Sequence, residues 1–191
     1  LGLAPDSLVA VEPQGGGGAT ATAPARVGDL LGGALDLLSA SPRRYFFEVL
    51  SHFASSEVEA EKLRELASPQ GRDELHQYCA RERRTAAEVL HDFRSCNPPL
   101  EWLLCAAPRL QPRRFSAASS PAAHPGEAHV CAAVVRWETP YGRRREGLCT
   151  SWLAGPSAAP GAGPVPVWVE RGAMRLPEGS GAPLVLVGPG T

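Results

Sequence analysis

The chain has 191 residues, 43% apolar and 20% charged, an ordinary balance for a folded protein that calls for no fibrous or disordered class. A formal charge of −1 and a pI near 6.6 leave no basic field to draw nucleic acid or anionic lipid, so neither is expected as a partner. Cys79, Cys96, Cys105, Cys131 and Cys149 are odd in number and contain no CxxC pair, which speaks against a disulfide framework and a zinc site and points to a reducing, cytoplasmic compartment.

No apolar run approaches the roughly 20 residues that span a bilayer, and the first residues lack the basic-then-apolar order of a secretory signal. The sequence begins at Leu1, so an upstream anchor or signal stays open. Residues 7–12, SLVAVE, read as a short strand, ended by the glycine tract after Pro13; residues 13–25 read as a linker. From Val27 the apolar positions Leu30, Leu31, Ala34, Leu35 and Leu38 recur at helical spacing, with Asp29 and Asp36 off that face. Ser41-Pro42 reads as the next helix start, Ser41 capping, with Phe46, Phe47, Val49, Leu50 and Phe53 behind it.

Three more amphipathic stretches follow, at about 57–67, 72–80 and 83–93, and close a helical unit near Asn97-Pro98-Pro99. The mixed charges Glu57, Glu59, Glu61, Lys62 and Arg64 read as a solvated helix face. A short helical segment with Leu100, Trp102, Leu103 and Leu104 then gives way to strand-like texture at about 113–119, 128–138, 165–170 and 184–187. Short strands separated by turn signals predict a small antiparallel barrel. With a helical block inserted in it, the fold class is α+β, and the run at 7–12 is expected to pair with a strand beyond residue 112.

Three segments carry possible chemistry. In Arg113-Arg114-Phe115-Ser116 a cation, an aromatic and a hydroxyl lie close together on a strand, as a flavin needs for its phosphates, its flat ring and its ring nitrogens; a surface arginine and a core phenylalanine satisfy the same spacing. Gly147-Leu148-Cys149-Thr150 reads as a turn entering a helix, whose free amides and hydroxyl suit a phosphate, or equally as a capped helix start. Leu184 to Val187 runs into Gly188-Pro189-Gly190-Thr191, the way many nucleotide-binding α/β domains begin, although such a turn is common elsewhere. His124 and His129 read as structural or solvent-facing.

Taken jointly and in this order, these segments resemble the NADPH-dependent diflavin oxidoreductases, relatives of ferredoxin–NADP reductase. The likeness runs back through Pro108-Arg109-Leu110-Gln111, Arg83-Arg84-Thr85 and Val89 to Phe93 into the helical unit, and so covers essentially the whole chain. Pro42-Arg43-Arg44 with Phe46-Phe47-Glu48, and Gly147-Leu148-Cys149 with Ser151-Trp152-Leu153, make it most similar to the soluble members of cytosolic iron–sulfur assembly.

The resemblance implies a division into a partial barrel strand and linker (1–25), a helical connecting domain (26–97), an FAD-binding barrel (98–183) and the start of an NADP(H)-binding domain (184–191). It implies FAD held by Arg83, Arg113, Arg114, Phe115, Ser116, Gly147, Leu148, Cys149 and Thr150, Thr191 on the NADP(H) side, Ser116 near the redox-active edge of the ring as the catalytic residue, and no metal. Phe115 stands where many relatives have Tyr, so packing on the flavin is implied without that hydroxyl. FMN and NADPH belong to the full-length protein, with an FMN domain upstream, and electrons pass to an acceptor redox protein of the anamorsin iron–sulfur type. The segment alone is expected not to complete the reaction. A fragment of a membrane-anchored cytochrome reductase, or a non-catalytic scaffold, are the alternatives.

Overall fold

Residues 2–11, 23–158, 165–172 and 185 are described by the computed structural model of the chain. The run at 7–12 does form a strand, β1 (Leu8–Val11), but its partner is β2 (Ala23–Arg26), antiparallel, with Leu8 opposite Arg26 and Val11 opposite Ala23. The sequence had suggested a partner beyond residue 112 and a linker through residue 25. Pairing with a neighbour in sequence closes a shorter loop than reaching across the helical unit, and it is entropically cheaper.

The helix expected over 27–38 is cut short. It consists of α1 (Val27–Asp29) and a π-helical turn over Leu30–Ala34, after which Leu35 turns extended. Gly32 and Gly33 sit in that turn and weaken it by their conformational freedom. Val27 and Leu35 are buried, as the periodic face required. Asp36, expected off that face, is only 4% exposed: its carboxylate accepts from the amides of Ser39 at 2.9 Å and Ala40 at 3.1 Å and from the Ser39 hydroxyl. That bend precedes an extended Arg43, and α2 (Arg44–His52) starts two residues beyond the Ser41-Pro42 signal.

The next elements fall close to their expected places: α3 (Glu57–Ala67), α4 (Arg72–Leu75) continued by a π-helical turn over His76–Ala80, α5 (Ala86–Asp92) and α6 (Leu100–Ala106). Their apolar faces make one core, with Phe46, Phe47 and Leu50 of α2, Leu63 and Leu66 of α3, Cys79, Val89 of α5 and Leu103 of α6. Phe47, Tyr78 and Phe93 pack edge to face in sequence, with ring centroids about 6.2 Å apart in each pair. Gly71 lets the chain turn tightly after α3, since a Cβ there would stand 2.0 Å from the Glu65 carbonyl oxygen. Glu57, Glu61 and Arg64 face solvent as a charged helix face should, whereas Glu59 reaches across to the Ser95 amide at 3.0 Å and hydroxyl at 2.6 Å.

Beyond Pro108 the expected barrel is not closed among the described residues. The strands present are β3 (Arg136–Glu138) and β4 (Arg144–Glu146), an antiparallel hairpin, followed by α7 (Leu148–Leu153). The stretches 113–119 and 128–138 do meet, at an Ala117–Val130 bridge and a 2.8 Å bond from the Ala118 amide to the His129 carbonyl. Residues 165–170 have no regular structure, and of 184–187 only Val185 is described. A barrel closes when every strand is paired on both edges; here residues 109–118 and 120–138 are exposed throughout, and burial is concentrated in the helices.

Candidate functional site

The β3–β4 hairpin is tied to the turn between α4 and α5. Thr139, 6% exposed, donates its hydroxyl to Glu82 Oε2 at 2.7 Å, and Arg143 donates to the Glu82 carbonyl at 3.2 Å. Arg143 and Arg145 also pair with the Glu88 carboxylate, Arg145 at 2.8 Å. Gly142, at φ +73°, makes the hairpin turn that returns the chain to Arg143. Arg81 lies 5.2 Å over the Tyr141 ring.

Glu88 closes this contact from the helix side. Its carboxylate accepts from the Thr85 amide at 2.8 Å while Thr85 Oγ1 accepts from the Glu88 amide at 3.2 Å, a reciprocal cap of α5. Burial pushes the Glu88 carboxyl up, but the Thr85 amide, Arg145 and Arg143 together outweigh it and hold the group below its ordinary value.

Within the 81–85 turn, Arg83 is the one non-glycine residue with positive φ among the described residues, at +48°. Its neighbours are fixed on both sides. Glu82 is 4% exposed against the hairpin, and Arg84 stacks 4.5 Å over Tyr78 and pairs with Asp92 at 2.5 Å. The Arg83 guanidinium is exposed and has no ion pair or hydrogen bond within the described residues.

On the second segment, Arg113 comes within 3.9 Å of the buried Asp36 carboxylate and donates to the Gln111 carbonyl. Arg114 pairs with Glu170 at 3.1 Å on the surface. Phe115 is 36% exposed, and Ser116 is exposed with a free hydroxyl within the described residues.

On the third, Gly147 and Thr150 build a tight turn against Val135. The Gly147 amide donates to the Val135 carbonyl at 2.9 Å, and Thr150 Oγ1 accepts from the Val135 amide at 3.1 Å while donating to the Gly147 carbonyl at 3.2 Å. A Cβ on Gly147 would meet Thr150 Oγ1 at 2.8 Å and Val135 Cβ at 3.1 Å, so the close approach needs glycine. The Thr150 hydroxyl is thus used inside the turn. The amides of Leu148, Cys149 and Thr150 occupy the first turn of α7, where no helical carbonyl lies behind them.

One segment, 128–138, links these groups. Its start bonds to Ala117 and Ala118, and its end bonds to Gly147, Thr150 and β4. Four residues without regular structure, 131–134, separate Val130 from Val135. The structure therefore ties the 81–85 turn to the tip of the β3–β4 hairpin and the Gly147 turn to its base, while residues 117–118, next to Arg113–Ser116, bond to the segment that leads into β3. Thr191 lies outside the described residues. Cys131, Ala132 and Ala133 are exposed.

Sequence reasoning missed Glu82, Glu88, Thr139 and Arg143 as supports of Arg83. The Thr85-x-x-Glu88 capping pattern was a usable signal for Glu88; the others are joined only by the fold. His124, Glu127 and His129 put ligand atoms within 4.8 Å of one another on an exposed loop, where Glu127 already bonds the His129 ring at 3.0 Å.

The described residues contain no helix long and apolar enough to cross a membrane. Comparison with known proteins gives a match of residues 1–152 to the FAD binding domain family. The chain is 51% identical over 158 residues to the NADPH-dependent diflavin oxidoreductase 1 of Arabidopsis thaliana, covering 82% of this chain and 25% of that protein. It is 42% identical over 196 residues to the protein of that name in Bos taurus, covering 100% of this chain and 33% of the relative. The NADPH–cytochrome P450 reductase of Musca domestica is 35% identical over 156 residues, 81% of this chain and 23% of that protein. The chain thus spans a quarter to a third of these relatives' length, and it belongs to the FAD binding domain family, in the branch of the diflavin oxidoreductases.

Proposed function

We propose that this chain is the FAD-holding segment of a cytoplasmic NADPH-dependent diflavin oxidoreductase that passes electrons from NADPH through FAD and FMN to an acceptor protein. The finer reading places it in cytosolic iron–sulfur assembly, with an anamorsin-type iron–sulfur protein as acceptor. Identity favours this over a cytochrome reductase, 51% against 35% over nearly the same length.

The observation that carries the reading is Arg83, an exposed cation without a partner within the described residues, on a left-handed turn braced by the hairpin that enters the Gly147 turn. A non-glycine residue held at positive φ costs of order 1–3 kcal/mol and persists where its surroundings over-determine it, often at ligand sites. The residues fit FAD. Arg83 and the Leu148–Thr150 amides suit its pyrophosphate, and the exposed face of Phe115 suits its ring.

When bound, FAD supplies the ring that accepts hydride from NADPH. This chain's residues bind and orient it: Arg113 and Arg114 add positive charge, Phe115 packs, and the Ser116 hydroxyl stands free among the described residues to donate to the ring edge. Arg113 also lies 3.9 Å from the Asp36 carboxylate.

The test is flavin content. The full gene product should be isolated with FAD and FMN in equal amounts and should be reduced by NADPH, delivering electrons to an iron–sulfur acceptor faster than to a cytochrome. A product that retains no FAD makes the segment a scaffold, and preference for the cytochrome selects the other reductase.

A further inference from the structure

We infer that Glu82, Thr139 and Arg143 are positioning residues that aim Arg83 at the anionic part of the cofactor, using the β3–β4 hairpin as a splint between the Arg83 turn and the Gly147 turn. This rests on the reading that Arg83 faces FAD.

The argument starts from burial. Glu82 carries a carboxylate that is nearly excluded from solvent, yet among the described residues no cation is bonded to it; Oε2 takes one hydroxyl bond from Thr139 and Oε1 has no partner there. A buried carboxylate satisfied so sparingly contributes poorly to stability, because desolvation of the charge is not matched by hydrogen bonds. Its placement is therefore better explained by what it holds still. Glu82 immediately precedes Arg83, and its side chain and its carbonyl are gripped from the same hairpin, by Thr139 and by Arg143. Two grips on one residue fix both its side chain and its peptide plane. On the other flank, Arg84 is locked by Tyr78 and Asp92, and Thr85 by the cap with Glu88. The left-handed φ of Arg83 is thereby imposed from both sides, and the side chain left without a partner among the described residues is its exposed guanidinium.

The second half of the argument is continuity. β3 follows directly on Val135, which receives the Gly147 amide and donates to Thr150; β4 ends at Glu146, next to Gly147. The hairpin that grips Glu82 at its tip therefore forms the Gly147 turn at its base. Movement of the tip relative to the helical unit would swing the 81–85 turn relative to the Gly147 turn, so a splint between them sets where the Arg83 cation stands without touching the ligand. The Glu88 ion pairs with Arg143 and Arg145 hold the hairpin's return strand to the same helix end.

The experiment is a double-mutant cycle in the full gene product, reading the FAD dissociation constant by flavin titration of the deflavinated protein. Arg83→Ala should weaken FAD about 10- to 100-fold, the range for loss of a charge-assisted contact. Thr139→Val, which removes the hydroxyl from Glu82 without adding charge, should weaken it several-fold, and Thr139→Ser should restore it. In the Arg83→Ala background, Thr139→Val should add less than about a twofold change, because the residue being aimed is gone. If Thr139→Val alone leaves affinity unchanged, or carries its full penalty into the Arg83→Ala background, the splint is refuted while the FAD reading stands. If Arg83→Ala itself leaves FAD affinity unchanged, the cofactor assignment of Arg83 falls and the inference with it. Should Thr139→Val lower the melting temperature, Glu82→Gln is the second variant, since it keeps the shape and the Thr139 bond: unchanged FAD affinity there supports a grip by geometry, and a loss as large as that of Arg83→Ala overturns it.

Discussion

Arg113 and Ser116 lie three positions apart and offer a ligand different things. A guanidinium facing phosphate makes a charge-assisted contact, and removing it costs about 1.5–3 kcal/mol of binding, or one to two powers of ten. Arg113→Ala should therefore lower FAD occupancy of the full gene product and leave FMN occupancy nearly unchanged, as absorbance of the released flavins will show. The buried Asp36 that Arg113 approaches keeps its own donors in Ser39 and Ala40, so the fold should tolerate the change. Ser116→Ala removes one neutral hydroxyl, about 0.5–1.5 kcal/mol at most, and should spare binding while slowing NADPH reduction in anaerobic stopped flow. Full FAD in the first variant together with wild-type reduction in the second would remove this strand from the site. The candidate residues were legible because each motif is local: Arg113 to Ser116, and Gly147 to Thr150, are short runs whose chemistry is written in adjacent positions. The bracing of Arg83 was not, since Glu82 meets Thr139 and Arg143 across 57 and 61 positions of chain.

Among the elements, α5 and the β3–β4 hairpin share Glu88, which makes their contact sensitive to acid. The carboxyl is held below its ordinary value when folded, so its contribution is complete above the unfolded carboxylate range, near pH 4.3, and is lost as pH falls through the lowered folded value. The stability difference between wild type and Glu88→Gln should be constant at neutral pH and shrink below about pH 4. Thermal melts across that range check it; a gap that widens in acid contradicts the ion pairs. At this scale the helices α3 and α6 were legible from apolar spacing and proline punctuation. Two departures have local causes: Gly32 and Gly33 end the first helix early, and α5 starts at Ala86 behind its Thr85 cap rather than at about 83. The strands were the least legible. Period-two texture at 113–119 and 128–138 marks residues able to pair, but pairing depends on partners at a distance.

For the molecule as a whole, burial is uneven. The helical unit holds the apolar core, whereas residues 109–118 and 120–138 present Phe115, Val130, Val134, Val135 and Trp137 to solvent. Amides of α2 and α3 should thus exchange slowest and those of 113–118 fastest in the flavin-free protein, and FAD should slow 113–118 and 147–150 while leaving α2 unchanged. Exchange measured by mass spectrometry with and without FAD tests this; protection confined to the helices would place the ligand elsewhere.

The same uneven burial sorts the cysteines by reactivity. Cys105 and Cys131 are exposed thiols, while Cys79 is buried in the helical core, where burial pushes its ionisation up to about 11. A thiol-specific reagent attacks the thiolate, so at neutral pH Cys79 is shielded by both its protonation and its enclosure. The exposed pair should label at once and Cys79 only as often as the helices part. The chain thereby carries its own clock: the lag between the fast and slow labels is the lifetime of the closed core, readable with one thiol reagent and no engineered cysteine.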